Sequence, residues 1–517
     1  MQDWRSWLKK PAVIGAMVAV VVVIALAVIV TVAFDRKLER SAEIEPEAVP
    51  VVSPSEELKK VSAPLQEVGS TSLRVLEPDS GAMLVSETAS PGSALRLSRR
   101  SYPFPDGTCV SMLRAEGEKS PALLYQTSVP EKSGTVRTFD EASGKWSSAP
   151  LSALRCNPDL AVIEFESGKT VFVYMPKTYR VLENDVLEHI PEQDGLLRTV
   201  KTKSGWQLQV YGNVLSETVC DTLIMEADHA LFDWSGSSNS ATVWASHTRN
   251  GVSKWCYSGY YRTTPYNYIP TGENCYYRCA ASYLPRLITE QLDLCKAAAP
   301  LAIAMLDTVA LQQNQYGFWP TVPESEWLSS DYNISGSFYD TRFNTDLIEI
   351  YINCNRKLGS KLFLSTIRRY CDYYTAFAAQ SHTETASGGW LVHDYWQPDA
   401  HYPTHTSLNH QLAECLTLYH LADLLKDESI RALGDRLLLA VQDTGTGWIR
   451  SDCDLHYCIF ADGTYGKEDY PYLTYNDLFA LQEYLVSAKG SRDETLDTLM
   501  SSKLIWMINH GITGYSR

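Results

Sequence analysis

Residues 408–426 read LNHQLAECLTLYHLADLLK, and their spacing decides the fold class. Leu408, Leu412, Cys415, Tyr419 and Ala422 step by four and three, the period of one face of a helix. The same period recurs at 287–313, 343–359, 361–380, 428–443, 475–490 and 496–510. It predicts seven or eight helices within 283–517, with long polar loops at 315–340, 381–407 and 443–474 after alternate helices. Helical hairpins stacked side by side in this way predict an α/α toroid or partial toroid, its long loops gathered at one mouth.

Upstream the period changes. AVIEFESGKTVFVYM at 161–175, GWQLQVYG at 205–212 and SATVWASHT at 240–248 alternate apolar with polar or carry β-branched runs. Residues 255–279 are aromatic and turn-rich with no helical period. Residues 101–282 therefore read as one or two β-rich modules, with a disulfide expected to involve Cys256, Cys275 or Cys279 and its pairing open. Residues 35–100 read as a stalk, because 39–72 is rich in Pro, Ser, Val and Glu and has no aromatic residue from which to build a core.

From Pro11 to Phe34 there is no charged residue. About 24 residues at about 1.5 Å each cover a bilayer of about 30 Å, so 11–34 is expected to be a single transmembrane anchor. The whole chain is thus an α+β multidomain protein: anchor, stalk, β-rich modules and a helical toroid. Arg5, Lys9 and Lys10 before the span balance Arg36, Lys37 and Arg40 after it, so charge does not orient it. The twelve cysteines all lie beyond residue 100. They suit an oxidising compartment, with residues 1–10 cytoplasmic and the body outside; reduced thiols in a cytosolic body are the competing reading. CYYRC at 275–279 and CDLHYC at 453–458 lack zinc-module spacing, so no structural metal is expected.

A net charge of −16 argues against a nucleic-acid partner. After residue 282, seventeen basic residues stand against twenty-nine acidic ones, a field that disfavours heavily sulfated polymers.

Chemistry is expected where the long loops meet. The loop 393–409, HDYWQPDAHYPTHTSLN, packs three histidines, two tyrosines and a tryptophan into an irregular run that reads as a poor core element. Three other clusters accompany it: YGFWP at 316–320, SGSFYDTRFNTD at 335–346, and the tracts within 443–477.

In order, Gly317-Phe318-Trp319-Pro320, Phe338-Tyr339, His393-Asp394-Tyr395-Trp396 with His401-Tyr402-Pro403, Leu408-Asn409, Asp443-Thr444-Gly445-Thr446-Gly447 and Asp469-Tyr470 resemble the motifs of the D-glucuronyl C5-epimerases, over roughly residues 310–505. The resemblance implies inversion of C5 in uronic acid residues of a polysaccharide. Such a reaction removes a proton α to a carboxylate and returns one to the opposite face, so it needs two proton-transfer groups and cations or donors for the carboxylate. It requires no cofactor, and no phosphate-binding glycine motif is present.

Carried over residue by residue, the resemblance implies Tyr402 and Tyr470 as catalytic tyrosines. His401 stands where the family has glutamate and could act as a base or tune Tyr402. Arg450 falls on a family tyrosine and could clamp a carboxylate. Implied substrate contacts are Trp319, Tyr339, Arg342, Asn344, His393, Asn409 and His456. Each has a plain structural alternative: Tyr402 a packed turn residue, Tyr470 a helix-start aromatic, Arg450 a partner of Asp452 or Asp454, Trp319 and Tyr339 core. Competing activities are a lyase expelling the C4 oxygen, a hydrolase using two of Asp394, Asp399, Asp452 and Asp469, or a tethered glycan-binding protein without catalysis. The expected partners are a uronic-acid polysaccharide and the membrane, and a homodimer is compatible with the sequence.

Overall fold

The computed structural model describes residues 68–75, 83–89, 95–140, 142–234, 251–398 and 403–516. The expected span 11–34, much of the expected stalk, the strand expected at 240–248 and the pair His401–Tyr402 lie outside these residues. No described helix is long and apolar enough to cross a membrane.

Among the described residues the β region forms a thirteen-stranded antiparallel sheet faced by a four-stranded one. The large sheet is built around two long neighbouring strands, Thr170–Val181 and Thr218–Ala227. Both are buried along almost their whole length, and the reason is period two in two different cores. Val171 and Val173 face the smaller sheet with Leu113, Leu208, Val210 and Trp206. Phe172 and Tyr174 face the other way, toward the helices. There Leu160, Phe172, Tyr174, Leu223 and Trp255 line a narrow apolar seam with Leu284, Ile288, Leu301 and Met305. Tyr102 crosses the same boundary, its hydroxyl donating to Asp307 at 3.1 Å.

The sheet begins earlier than the sequence leads one to expect. Val68–Val75, Met83–Ala89 and Leu95–Pro103 form its first strands, the first two inside the segment assigned to the stalk and the third beginning there. Leu95 and Leu97 alternate with more exposed neighbours and are buried, so two leucines two apart outweigh the absence of aromatics.

Nine described helices follow: α1 Tyr283–Glu290, α2 Ala298–Ala310, α3 Glu326–Tyr332, α4 Thr341–Leu358, α5 Leu364–Gln380, α6 Leu408–Leu425, α7 Glu428–Thr444, α8 Leu473–Lys489 and α9 Glu494–Asn509. That exceeds the expected seven or eight, because 287–313 divides into α1 and α2 and because α3 interrupts the loop before α4. Four hairpins (α1–α2, α4–α5, α6–α7, α8–α9) stand side by side, with α1, α4, α6 and α8 touching in succession. Burial separates their roles. α4 and α6 are buried on most sides, whereas α5 and α7 bury one face. This is a partial α/α toroid with α4 and α6 on its inside. The Asp340 carboxylate caps α4 by accepting from the Phe343 amide, and Gly359 ends it at φ 60°, a backbone that suits glycine.

The twelve cysteines stand as thiols, ten of them buried, so the disulfide expected among Cys256, Cys275 and Cys279 is not formed. Their even number reflects core packing, where cysteine serves as a small apolar residue. It therefore carries no argument for an oxidising compartment.

Candidate active site

The N-terminal ends of α1, α4, α6 and α8 surround a cavity of about 740 Å³. α3 and the segments preceding α6 and α8 supply much of its wall: Trp327 and Leu328, then Tyr395, then Tyr457, Lys467, Glu468 and Tyr470. The helix ends add Tyr283, Asp340, Arg342, Asp346, Asn409 and His410, and the β region adds Arg262 and Tyr268. The sequence expectation of one mouth collecting the long loops thus describes this cavity. Helix N-termini carry partial positive charge, so their convergence favours an anionic guest.

The cations divide into two kinds. Arg342 is fully engaged: it binds Asp477 through both terminal nitrogens at 2.7 and 3.1 Å, Asp346 through Nε at 2.9 Å, and the Asn409 carbonyl at 3.0 Å. Two carboxylates against one guanidinium leave that wall without surplus positive charge. Arg262 and Lys467 are exposed and, among the described residues, form no ion pair. The Lys467 ammonium lies 4.7 Å from the centre of the Trp327 ring, and the Arg262 guanidinium 5.7 Å from that of Tyr283. A carboxylate entering the cavity meets these two as available partners.

Beneath the wall runs a buried polar network. Asp394 is wholly buried and accepts from the Ser407 amide at 2.9 Å and from the Ser407 hydroxyl. His405 Nε2 lies 3.3 Å from its carboxylate, and His405 Nδ1 meets the Tyr332 hydroxyl at 2.7 Å. His410 Nδ1 lies 3.6 Å from Asp394 and 2.9 Å from the Thr341 hydroxyl. Burial works to raise the Asp394 pKa, but His410, His405 and Ser407 outweigh it and hold the group ionised. Burial takes His410 down to about 4 despite Asp394, with Arg342 adding to the fall, so its imidazole is neutral at pH 7. Burial takes Asp340 the other way, up to about 7, against the amides of Phe343 and Arg342 and assisted by Asp394 and Asp346.

The network corrects the reading of 393–409 as a poor core element. His393, Asp394, Thr404, His405, Thr406, Ser407 and Asn409 are all buried. Most of their polar groups find partners inside the protein, which removes much of the cost of burying them.

Of the expected site residues, Tyr470, Arg342 and Asn409 line the cavity. Tyr470 is half-exposed and meets Tyr457 edge-on, with ring centres 5.7 Å apart. Its pKa is raised, first by burial and then by Asp340 and Asp469. Its position is fixed from below: Lys503, fully buried, holds Asp469 at 2.8 Å and also binds Asp454. Arg450 and His456 line a neighbouring hollow of about 510 Å³ that shares Lys467 and Glu468 with the main cavity. There Arg450 faces Asp452 at 3.5 Å, the pairing that was its structural alternative, and Glu468 at 3.8 Å.

Trp319, Tyr339, Asn344 and His393, expected as substrate contacts, are core instead. Trp319 is 2% exposed, donates to the Val309 carbonyl and stacks on Tyr351. Tyr339 is fully buried, its hydroxyl meeting that of Tyr370 at 3.1 Å. Asn344 clips the Trp319 backbone through bonds of 2.8 and 2.9 Å. His393 is bonded to Ser381 and Thr383. The physical reason is the same for all four: their polar atoms are satisfied inside the fold, so they have none to offer a ligand.

The sequence reading passed over Asp340, Arg262, Lys467, Tyr268, Tyr283, Tyr457 and His410. Arg262 and Tyr268 come from the segment read as β module and Tyr283 from just before the first expected helix, and only tertiary folding brings them to the toroid mouth.

No protein-family model matches the chain, and no curated protein does. Solved structures with distant likeness include a D-mannose isomerase (12% identity over 54% of this chain and 74% of that one, TM-score 0.38). Another is an unsaturated glucuronyl hydrolase specific for heparin (13% identity, 45% of this chain and 56% of that one, TM-score 0.31). A third is a family 76 glycoside hydrolase from a bovine Bacteroides thetaiotaomicron strain (11% identity, 86% and 78%, TM-score 0.36). Likeness this distant carries no chemistry across.

Proposed function

We propose that this chain is a carbohydrate-active enzyme that takes a uronic acid residue of a polysaccharide into the cavity at the toroid mouth. The observation that carries the reading is the combination of two cations that form no ion pair among the described residues, Arg262 and Lys467, with a wall of tyrosines and four helix N-termini. Rings pack against sugar faces, and the cations and helix ends meet the carboxylate.

The reaction we infer is inversion at C5 by proton transfer, following the motif order shared with the D-glucuronyl C5-epimerases. Tyr470 is the cavity tyrosine that those motifs single out. The charge that builds on the substrate carboxylate as C5–H ionises is met by Arg262 and Lys467. A hydrolase would need opposed carboxyls. Among its candidates Asp394 is buried, Asp469 is held by Lys503, Asp452 faces Arg450 outside the main cavity, and Asp399 lies outside the described residues. The chain is proposed to act at a membrane through residues 11–34.

The experiment is incubation of the purified protein with glucuronan, heparosan and other uronans in D₂O. Deuterium at C5 with chain length unchanged supports epimerisation. Unsaturated chain ends show a lyase, new reducing ends show a hydrolase, and no change in any uronan contradicts the reading.

A further inference from the structure

We propose that Asp340 is a proton-transfer group of this cavity, supplying the carboxyl function where His401 replaces the glutamate of the resembled motif. This inference rests on the C5 reading and adds to it a residue from a different element. Asp340 is the N-cap of α4, 5% exposed, and stands in the cavity wall. One carboxyl oxygen accepts from the Phe343 amide at 2.9 Å. Among the described residues no side chain donates to the carboxyl and no cation pairs with it.

The other carboxyls of the wall are committed elsewhere. Asp346 is held by Arg342 at 2.9 Å and by the Tyr283 hydroxyl at 3.1 Å. Glu468 is largely exposed and turned toward Arg450. Asp340 is therefore the wall carboxyl with capacity to exchange a proton. Burial, together with Asp394 and Asp346, brings it to about 7, where both protonation states are populated at neutral pH. The groups that share its surroundings are Tyr268, Tyr395, Tyr457 and Tyr470, whose phenols it makes harder to ionise. His410 and Arg342 complete that wall.

In the step, the C5–H bond breaks and its proton passes to the Asp340 carboxylate. The electron pair moves into the substrate carboxylate, forming an enediolate against Arg262 and Lys467. The Tyr470 hydroxyl then gives its proton to the opposite face of C5, and the resulting phenolate recovers a proton from Asp340 through solvent. The protein ends with the protons it began with.

Asp340→Asn tests the role without removing the helix cap, since asparagine caps as well as aspartate. The expected result is a fall of about 10²–10⁴-fold in C5 deuteration, the usual size of a general acid–base contribution. Oligosaccharide affinity should stay within about threefold and Tm should be unchanged, because the cap and the cations remain. The wild-type rate profile should show an ionisation near pH 7 that the variant lacks. Independently of activity, carbodiimide with a neutral amine at pH 6.5 should label the protonated Asp340 carboxyl, and uronan oligosaccharide should protect it. Asp340→Asn retaining activity within about threefold of wild type overturns the role while leaving the C5 reading intact. Wild-type protein that exchanges no uronan, yet still shows protected labelling, overturns the C5 reading and the catalytic role together. Absence of labelling overturns the proton-transfer assignment.

Discussion

Two tyrosine-rich regions lie close together in this molecule, and they behave differently. Around Trp319, the side chains of Tyr339, Tyr351 and Tyr370 are fully buried, and their hydroxyls bond to one another or to the backbone, as Tyr351 does to the Leu306 carbonyl at 2.8 Å. At the toroid mouth, Tyr268, Tyr283, Tyr395, Tyr457 and Tyr470 line an open cavity beside two cations, Arg262 and Lys467, that form no ion pair among the described residues. The residue type is the same. What distinguishes the second region is accessible volume and charge that the fold has not neutralised, and these are the properties a ligand can use.

The contrast breaks or sharpens through substitution. Tyr470→Phe should lower C5 exchange by about 10²–10⁴-fold with Tm unchanged, measured by deuterium incorporation and thermal unfolding. The matching Tyr339→Phe should leave exchange within about twofold and cost about 1 kcal/mol of stability, the worth of one hydrogen bond. Equal losses of activity in both would erase the distinction. Trp319→Ala should destabilise by about 3–5 kcal/mol in urea unfolding, because it empties a buried site and removes a bond to Val309. A Trp319→Ala protein that keeps its stability but loses oligosaccharide binding would return Trp319 to the site.

A smaller effect comes from the dry side of the same helices. Glu414 on α6 is buried against the Tyr374 hydroxyl, and burial lifts it to about 8, above the ordinary carboxylate range. The folded protein therefore holds a proton that the unfolded chain has released, and stability falls as pH rises from about 4 to 8. Glu414→Gln should flatten that fall by at least about 1 kcal/mol between pH 5 and pH 8, the energy of a one-unit displacement. An unchanged slope would show that Glu414 ionises normally.

Much of the architecture was legible because periodicity is local. Leu408, Leu412, Cys415, Tyr419 and Ala422 announce α6, and Val171 to Tyr174 announce a strand. The site was legible only in part. Tyr470, Arg342 and Asn409 sit at helix starts after long loops, a position the chain itself displays. Whether an aromatic or polar residue at such a place points into the core or the cavity depends on distant partners. Trp319 is drawn inward by Val309 and Tyr351, and His393 by Ser381 and Thr383. Asp340 was hidden for a related reason, since an aspartate before a helix reads first as a cap. It is one, and it faces the cavity as well.

The most direct measurement compares binding of a uronan oligosaccharide with that of its carboxyl-reduced, neutral counterpart by calorimetry. Wild-type protein should prefer the acid by at least about tenfold, or about 1.4 kcal/mol, and the Arg262→Ala/Lys467→Ala double variant should lose that preference. Equal affinity of wild-type protein for the acidic and neutral sugars would contradict a cavity built for uronic acid.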